Sequence, residues 1–277
     1  TEWSTPLVHD RLVVTGAGSG IGRAVALELA RRGATTYILG RRDGALKDTI
    51  ELAKKKGSTG TLIPLPTDLT DAEAVDTTFS YIEKEEGQPV QALAHCAASV
   101  RYEPAREITF ETFSAVVGTT LFTAFNTIHR WAAPLWDSPL DGVAVALTSS
   151  VAHRGTPGVA HSAAGKSGIE GYIRSVAREW GNLGIRINVV GPGRFPVEKS
   201  KEMWEKFDAE SPQALGRTAL GRFGELHEIV GPIMFMLSEA AGYLTGEVLR
   251  VGGGDRLTTA GGPPPRYNKP EDPGTRP

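Results

Sequence analysis

Leu12-Val13-Val14-Thr15-Gly16-Ala17-Gly18-Ser19-Gly20-Ile21-Gly22 is the stretch that decides the fold. A short apolar run enters a glycine-rich turn, after which Ile21, Ala24, Val25 and Leu29 recur at helical spacing, so the segment reads strand, turn, helix. The glycines at 16, 20 and 22 follow the pattern Gly-x-x-x-Gly-x-Gly. Small residues let the backbone approach a pyrophosphate, and the unpaired N–H groups at a helix N-terminus stabilise its negative charge. Gly16, Ser19, Gly20, Ile21 and Gly22 are therefore the expected dinucleotide-binding turn, the alternative being a purely structural turn.

Working outward, the same alternation recurs. Strands are expected over 36–39, 61–65, 90–95, 143–148, 185–190 and 248–251, and helices over 43–56, 71–85 and 226–238. Two helical patterns cover 109–135, and Ile169, Ile173, Val176, Ala177 and Trp180 form one face of a further helix. Strands that are apolar throughout and alternate with helices imply a parallel sheet covered on both faces. The expected fold class is α/β, a doubly wound Rossmann-type parallel sheet of about seven strands in a single domain. Residues 1–10 read as an N-terminal extension and 11–262 as the domain. Residues 263–277 form a Pro-rich tail, with six of the 18 prolines between Gly262 and Pro277. This composition fits a disordered end or a strap on a neighbouring subunit.

Composition excludes several classes. Thirty Lys and Arg against 32 Asp and Glu give a net charge of -2, without the basic excess of a nucleic-acid-binding protein. No run of 18 apolar residues suggests a membrane span. Cys96 is the only cysteine, so no intramolecular disulfide forms, and a cytoplasmic or organelle-lumen location is expected rather than secretion. The histidines show no metal-ligand spacing, and no metal is expected.

From Arg11 to Gly254 the sequence resembles the short-chain dehydrogenase/reductases. The resemblance rests on the 15–22 glycine motif, Asp68 after the third strand, and His95-Cys96-Ala97-Ala98 where the family commonly has Asn-Asn-Ala-Gly. It continues through the turn Gly191-Pro192-Gly193 and the closing segment 245–254. It implies that Asp68 holds the adenine amino group and that Pro192 and Gly193 lie beside a nicotinamide. The second strand ends Gly40-Arg41-Arg42, with glycine where an acid would select NAD. Two guanidiniums instead offer forked donors to a 2′-phosphate, so NADPH/NADP+ is the expected cofactor, against a solvated basic loop.

The catalytic pattern departs from the family's. Its Tyr-x-x-x-Lys becomes Ser162-Ala163-Ala164-Gly165-Lys166, keeping the lysine and losing the phenol. A phenol has an ordinary pKa of about 10, whereas an aliphatic hydroxyl is far less acidic and cannot replace it as a proton donor. Lys166 remains available to the nicotinamide ribose. Tyr172 lies about 240° round the helix from Lys166 and cannot substitute. The resemblance implies a site serine 13 residues before the tyrosine position, which is Ser149, with Ser150 as the alternative, and Thr120 stands where the family has a helical asparagine. His161 and His153 flank the cleft as proton-donor candidates or structural histidines. His95 is expected to brace the backbone.

The Ser-x-x-x-Lys pattern, the Ala97-Ala98 pair and Ala177-Arg178-Glu179-Trp180-Gly181 also resemble 2,4-dienoyl-CoA reductases, although Thr120 and Val151 depart from them. That resemblance implies hydride delivery to a conjugated thioester, with Lys166, Ser149 and Ser162 stabilising the oxyanion. The expected function is an NADPH-dependent reductase of a conjugated C=C, or of a carbonyl on a bulky apolar substrate. The alternatives are a non-redox enzyme (cyclisation, isomerisation or dehydration) on the same scaffold and a silent NADPH-binding protein. Residues 194–216 read as a substrate lid or an edge helix. The helices over 111–135 and 163–181 are those through which the family pairs, so a homodimer or homotetramer is expected.

Overall fold

The computed structural model describes residues 6–197 and 218–257. Seven parallel strands form one sheet: β1 (Arg11–Thr15), β2 (Thr35–Gly40), β3 (Thr61–Pro66), β4 (Ala92–His95), β5 (Gly142–Leu147), β6 (Ile185–Pro192) and β7 (Val248–Val251). Their spatial order is β3-β2-β1-β4-β5-β6-β7. The order reverses between β1 and β4, and the strand C-termini at such a switch point open the crevice in which α/β proteins bind ligands.

Alternation along the strands feeds two cores. Leu12 and Val14 of β1 enter one, with α1 (Gly20–Arg31), α2 (Asp43–Lys55) and the last helix, α8 (Leu226–Met236). Val13 enters the other, with α3 (Ala72–Glu86), α5 (Thr123–Ala132) and α7 (Ala160–Trp180). Trp131 of α5 shows how a buried polar atom is accommodated there: its indole N–H donates to the Val90 carbonyl at 2.8 Å. The expected apolar face of α7 is buried as a unit.

Two features differ from the sequence expectation. The 109–135 stretch is α4 (Phe110–Val117), a π-turn at Gly118–Phe122 and then α5. A π-turn interrupts a helix without a proline, so no composition signal marks it. A short helix, α6 (Val151–Arg154), also follows β5. Leu7 and Val8 of the expected N-terminal extension pack against the first core, and the Val8 N–H donates to the Leu237 carbonyl at 3.2 Å. The Pro-rich tail and most of the expected lid lie outside the described residues. Among the described residues no helix is long and apolar enough to cross a membrane.

Candidate active site

The glycine turn is built by close contact. Gly16 has φ 67°, and a Cβ there would lie 2.9 Å from Cα and N of Ala97; a Cβ on Gly22 would lie 2.4 Å from the Gly16 carbonyl oxygen. Gly20 has φ 56°, the left-handed region that favours glycine. Ser19 precedes α1 in extended conformation and its side chain makes no capping hydrogen bond, so the first N–H groups of the helix, beginning at Gly20 and Ile21, receive no side-chain acceptor from this residue. The Val197 side chain lies 3.4 Å from the Cβ position of Gly20, and a glycine turn at such a helix end fits a pyrophosphate.

Arg41 and Arg42 follow β2 and are both exposed, and neither forms an ion pair with a described residue. Asp68 lies beyond β3. Its Oδ1 accepts from the Thr70 N–H at 3.0 Å and the Thr70 hydroxyl at 2.8 Å, and these bonds, with the Arg41 charge, hold its pKa below the ordinary carboxylate value. At the other side of the crevice the Gly193 N–H donates to the Val251 carbonyl at 2.8 Å, and the Pro192 carbonyl accepts from Ser150 N–H at 2.9 Å. This places the β6 turn against the segment that carries Ser149 and Ser150.

Lys166 is 7% exposed, and its Nζ donates to the Leu147 carbonyl at the end of β5 at 2.8 Å. Burial lowers its pKa to about 8, partly offset by the Cys96 thiol nearby. Ser149 stands two residues after Leu147, so the lysine and the serine are tied to the same strand end. Ser162 is 3% exposed. Thr120 is buried in the π-turn, and a Cβ on Gly165 would lie 3.0 Å from the Thr120 Cβ, which places Thr120 beside the Ser162–Lys166 turn of α7. The structure therefore brings Ser149, Ser162, Lys166 and Thr120 to one region at the strand C-termini.

The histidines divide. Ser162 N–H donates to His161 Nδ1 at 3.0 Å, which leaves the proton on Nε2, buried and without a hydrogen-bond partner among the described residues. The ring is fully buried. His153 is exposed and its Nδ1 is engaged by Arg250; burial and that guanidinium hold its pKa below the ordinary value, so it is neutral near pH 7. His95 is held by Thr15. The Thr15 hydroxyl accepts from the N–H groups of Cys96 and Ala97, at 3.0 and 3.1 Å, and is hydrogen-bonded to His95 Nδ1 at 3.1 Å. Burial and the Lys166 charge lower the His95 pKa to about 3, so this ring also stays neutral. Sequence reasoning missed Thr15 in this role, and it missed Glu170 and Arg250, which meet the site from α7 and β7.

Similarities to known proteins bear on this geometry. The family profile described as enoyl-(acyl carrier protein) reductase matches residues 16–255. The 3-oxoacyl-[acyl-carrier-protein] reductase of Pseudomonas aeruginosa is 31% identical over 245 residues, covering 87% of this chain and 95% of that protein. The peroxisomal 2,4-dienoyl-CoA reductase of Danio rerio is 30% identical over 261 residues, 93% of this chain and 85% of that protein. A solved candidate NAD(P)-dependent gluconate 5-dehydrogenase from Beutenbergia cavernae, with NADP bound at low occupancy, superposes with a TM-score of 0.82 at 29% identity, over 90% of this chain and 97% of that one. With the seven-stranded parallel sheet, the glycine cradle and the retained lysine, these similarities mean that the chain belongs to the short-chain dehydrogenase/reductase family of oxidoreductases.

Proposed function

We propose that the protein is an NADPH-dependent reductase of a conjugated C=C or carbonyl in a bulky apolar substrate, and that conjugated substrates are preferred. The observation that carries this reading is the replacement at the tyrosine position: Ser162, 3% exposed, stands one helical turn before Lys166 on α7 where the family has a phenol. Such a site offers a positive charge and two hydroxyls but no phenol, so it stabilises an oxyanion better than it protonates one. A conjugated substrate needs that and no more, because its reduced carbon skeleton takes a proton from water. The similarity to the Danio rerio 2,4-dienoyl-CoA reductase supports the same choice.

The glycine cradle at 16–22, Asp68, Lys166 and the Pro192-Gly193 turn would hold the dinucleotide, with Arg41 and Arg42 at its 2′-phosphate. When bound, NADPH supplies the hydride. Lys166 would orient the ribose and, with Ser149 and Ser162, would stabilise the negative charge that develops on the substrate oxygen. Thr120 fixes the α7 turn from which Ser162 and Lys166 project.

Nicotinamide absorbance, followed with dienoyl thioesters, enones and simple ketones, tests this directly. Oxidation is expected with conjugated substrates and faster with NADPH than with NADH. The Arg41→Ala/Arg42→Ala variant is expected to weaken NADPH binding by about 10- to 100-fold while leaving NADH binding within about twofold, since each charge-assisted hydrogen bond is worth about 1.5–3 kcal/mol. New product without cofactor oxidation would favour the non-redox reading and overturn this one.

We also propose that the protein is a homodimer or homotetramer assembled through α5 and α7. Phe122 and Phe125 are 54% and 45% exposed, and Phe125 meets Tyr172 of α7 with ring centroids 5.7 Å apart, so an aromatic patch spans both helices. Sedimentation of the wild type as an oligomer and of Phe125→Glu as a monomer is the expected result; a monomeric wild type would overturn it.

A further inference from the structure

Glu170 lies one helical turn beyond Lys166 on α7 and is only 6% exposed. A buried carboxylate costs several kcal/mol of desolvation unless it is well paired. Its cationic partners are loose: Arg250 Nη2 at 3.4 Å and Arg174 Nη1 at 3.9 Å. An apolar residue there would serve packing alone at least as well, so the geometry around the carboxylate is the informative feature.

Glu170 Oε1 accepts the Thr148 hydroxyl at 3.2 Å. One turn earlier on the same helix, Lys166 donates to the carbonyl of Leu147, the residue before Thr148. Two side chains of α7 thus grip two successive residues of the chain leaving β5, and the next residue is Ser149. The far side of that segment is tied to the same carboxylate. Arg250 of β7 bonds Glu170 Oε2 through one nitrogen and His153 of α6 through the other. Arg154 of α6 donates to Asp255 at 3.0 Å, beyond the end of β7. Backbone bonds from Thr148 N–H to the Val190 carbonyl and from Ser150 N–H to the Pro192 carbonyl, at 3.0 and 2.9 Å, complete the frame on the β6 side.

We infer that Glu170 is a positioning residue for Ser149: it anchors Thr148 directly and α6 through Arg250, and so fixes the serine that lies between them relative to Lys166. This rests on the reading of Ser149 as a site hydroxyl. Glu170 itself need not touch substrate or cofactor. Its effect passes through the placement of one hydroxyl, and misplacement by about 1 Å costs up to about 100-fold in rate.

The test is a double-mutant cycle read on the reductase activity, with Glu170→Ala, Thr148→Val and Ser149→Ala alone and in pairs. Glu170→Ala and Thr148→Val are each expected to lower kcat about 10-fold, with the NADPH KM within about twofold of wild type. Neither is expected to slow Ser149→Ala further, because the group they place is already gone. Glu170→Gln keeps an acceptor for Thr148 in the same shape and is expected to retain kcat within about threefold, which also covers failure of the alanine variant to fold. If Glu170→Ala or Thr148→Val costs the Ser149→Ala enzyme as much as it costs the wild type, the residue acts elsewhere and the inference is overturned. A Ser149→Ala enzyme as fast as the wild type overturns the underlying site reading instead, and the two failures are distinguishable.

Discussion

Replacing Lys166 by methionine is expected to remove about 100- to 10,000-fold of the turnover and, at neutral pH, to raise the melting temperature. The loss follows from the proposed chemistry, in which the Lys166 ammonium stabilises the developing oxyanion without a phenol beside it; single electrostatic or proton-transfer groups of this kind carry effects of that size. The gain follows from burial. In the folded protein the lysine titrates at about 8, against an ordinary 10.5, so the fold disfavours the charged form. Below pH 8 the penalty is complete and on the order of 3 kcal/mol. It shrinks between about 8 and 10.5, where the unfolded chain still binds the proton and the folded one does not, so wild-type stability rises across that window. Methionine has nearly the same length and no charge to bury. Its cost is the bond from the charged amine to the Leu147 carbonyl, worth about 1.5–3 kcal/mol, which leaves a net gain of up to about 1.5 kcal/mol near pH 7. Thermal unfolding at neutral pH and at pH 10 checks this: the variant should be the more stable at the lower pH and lose that advantage at the higher. Activity should run the other way, with wild-type kcat falling as pH rises through about 8 and the ammonium is lost. A variant less stable than the wild type at pH 7 would show that the lysine is not buried as a charge.

Most of the fold was legible because its signals are local. The passage from an apolar run through Gly16, Gly20 and Gly22 into a helix is written in adjacent residues, and each later strand repeats the first one's composition. The strand ends were less so, because pairing sets them: β2 runs on to Gly40 where it meets Pro66 of β3. Among the site candidates, Lys166 and Ser162 were picked out by the family's Tyr-x-x-x-Lys pattern, and Ser149, with Ser150 as the alternative, by the family's distance from serine to tyrosine. The groups that hold them were not. Thr15 and His95 are 80 residues apart in sequence, and Glu170 and Arg250 likewise. Nothing about an acidic residue in α7 distinguishes a solvated position from a buried one until β5 and β7 close around it. The π-turn that carries Thr120 was hidden for a related reason: Gly118 to Phe122 has ordinary helical composition, and its extra residue per turn shows only in backbone geometry.

The second large effect is expected from the smallest change, Gly22→Ala. A methyl group at this position would sit 2.4 Å from the Gly16 carbonyl oxygen, 2.7 Å from its carbon and 3.0 Å from the Thr15 carbonyl oxygen. All three are backbone atoms, so no flexible side chain can swing aside. Gly16 cannot retreat either, because its own Cβ position already lies 2.9 Å from the backbone of Ala97. Helix α1, the turn and the end of β4 are thus stacked backbone on backbone, and an added carbon must push the whole stack apart. Overpacking of this kind costs about 1–3 kcal/mol in stability. The same displacement moves the N-terminus of α1 away from the phosphates it would hold, so NADPH affinity is expected to fall about 100-fold, more than the stability loss alone would produce. Gly44 in α2 provides the control: a Cβ there meets nothing within 4 Å, and Gly44→Ala is expected to gain a few tenths of a kcal/mol, up to about 1 kcal/mol, from helix propensity without changing NADPH binding. Isothermal titration with NADPH and thermal unfolding of both variants separate the two effects. Unchanged affinity in Gly22→Ala would mean that the dinucleotide does not lie against this turn, and the assignment of the cradle would fall with it.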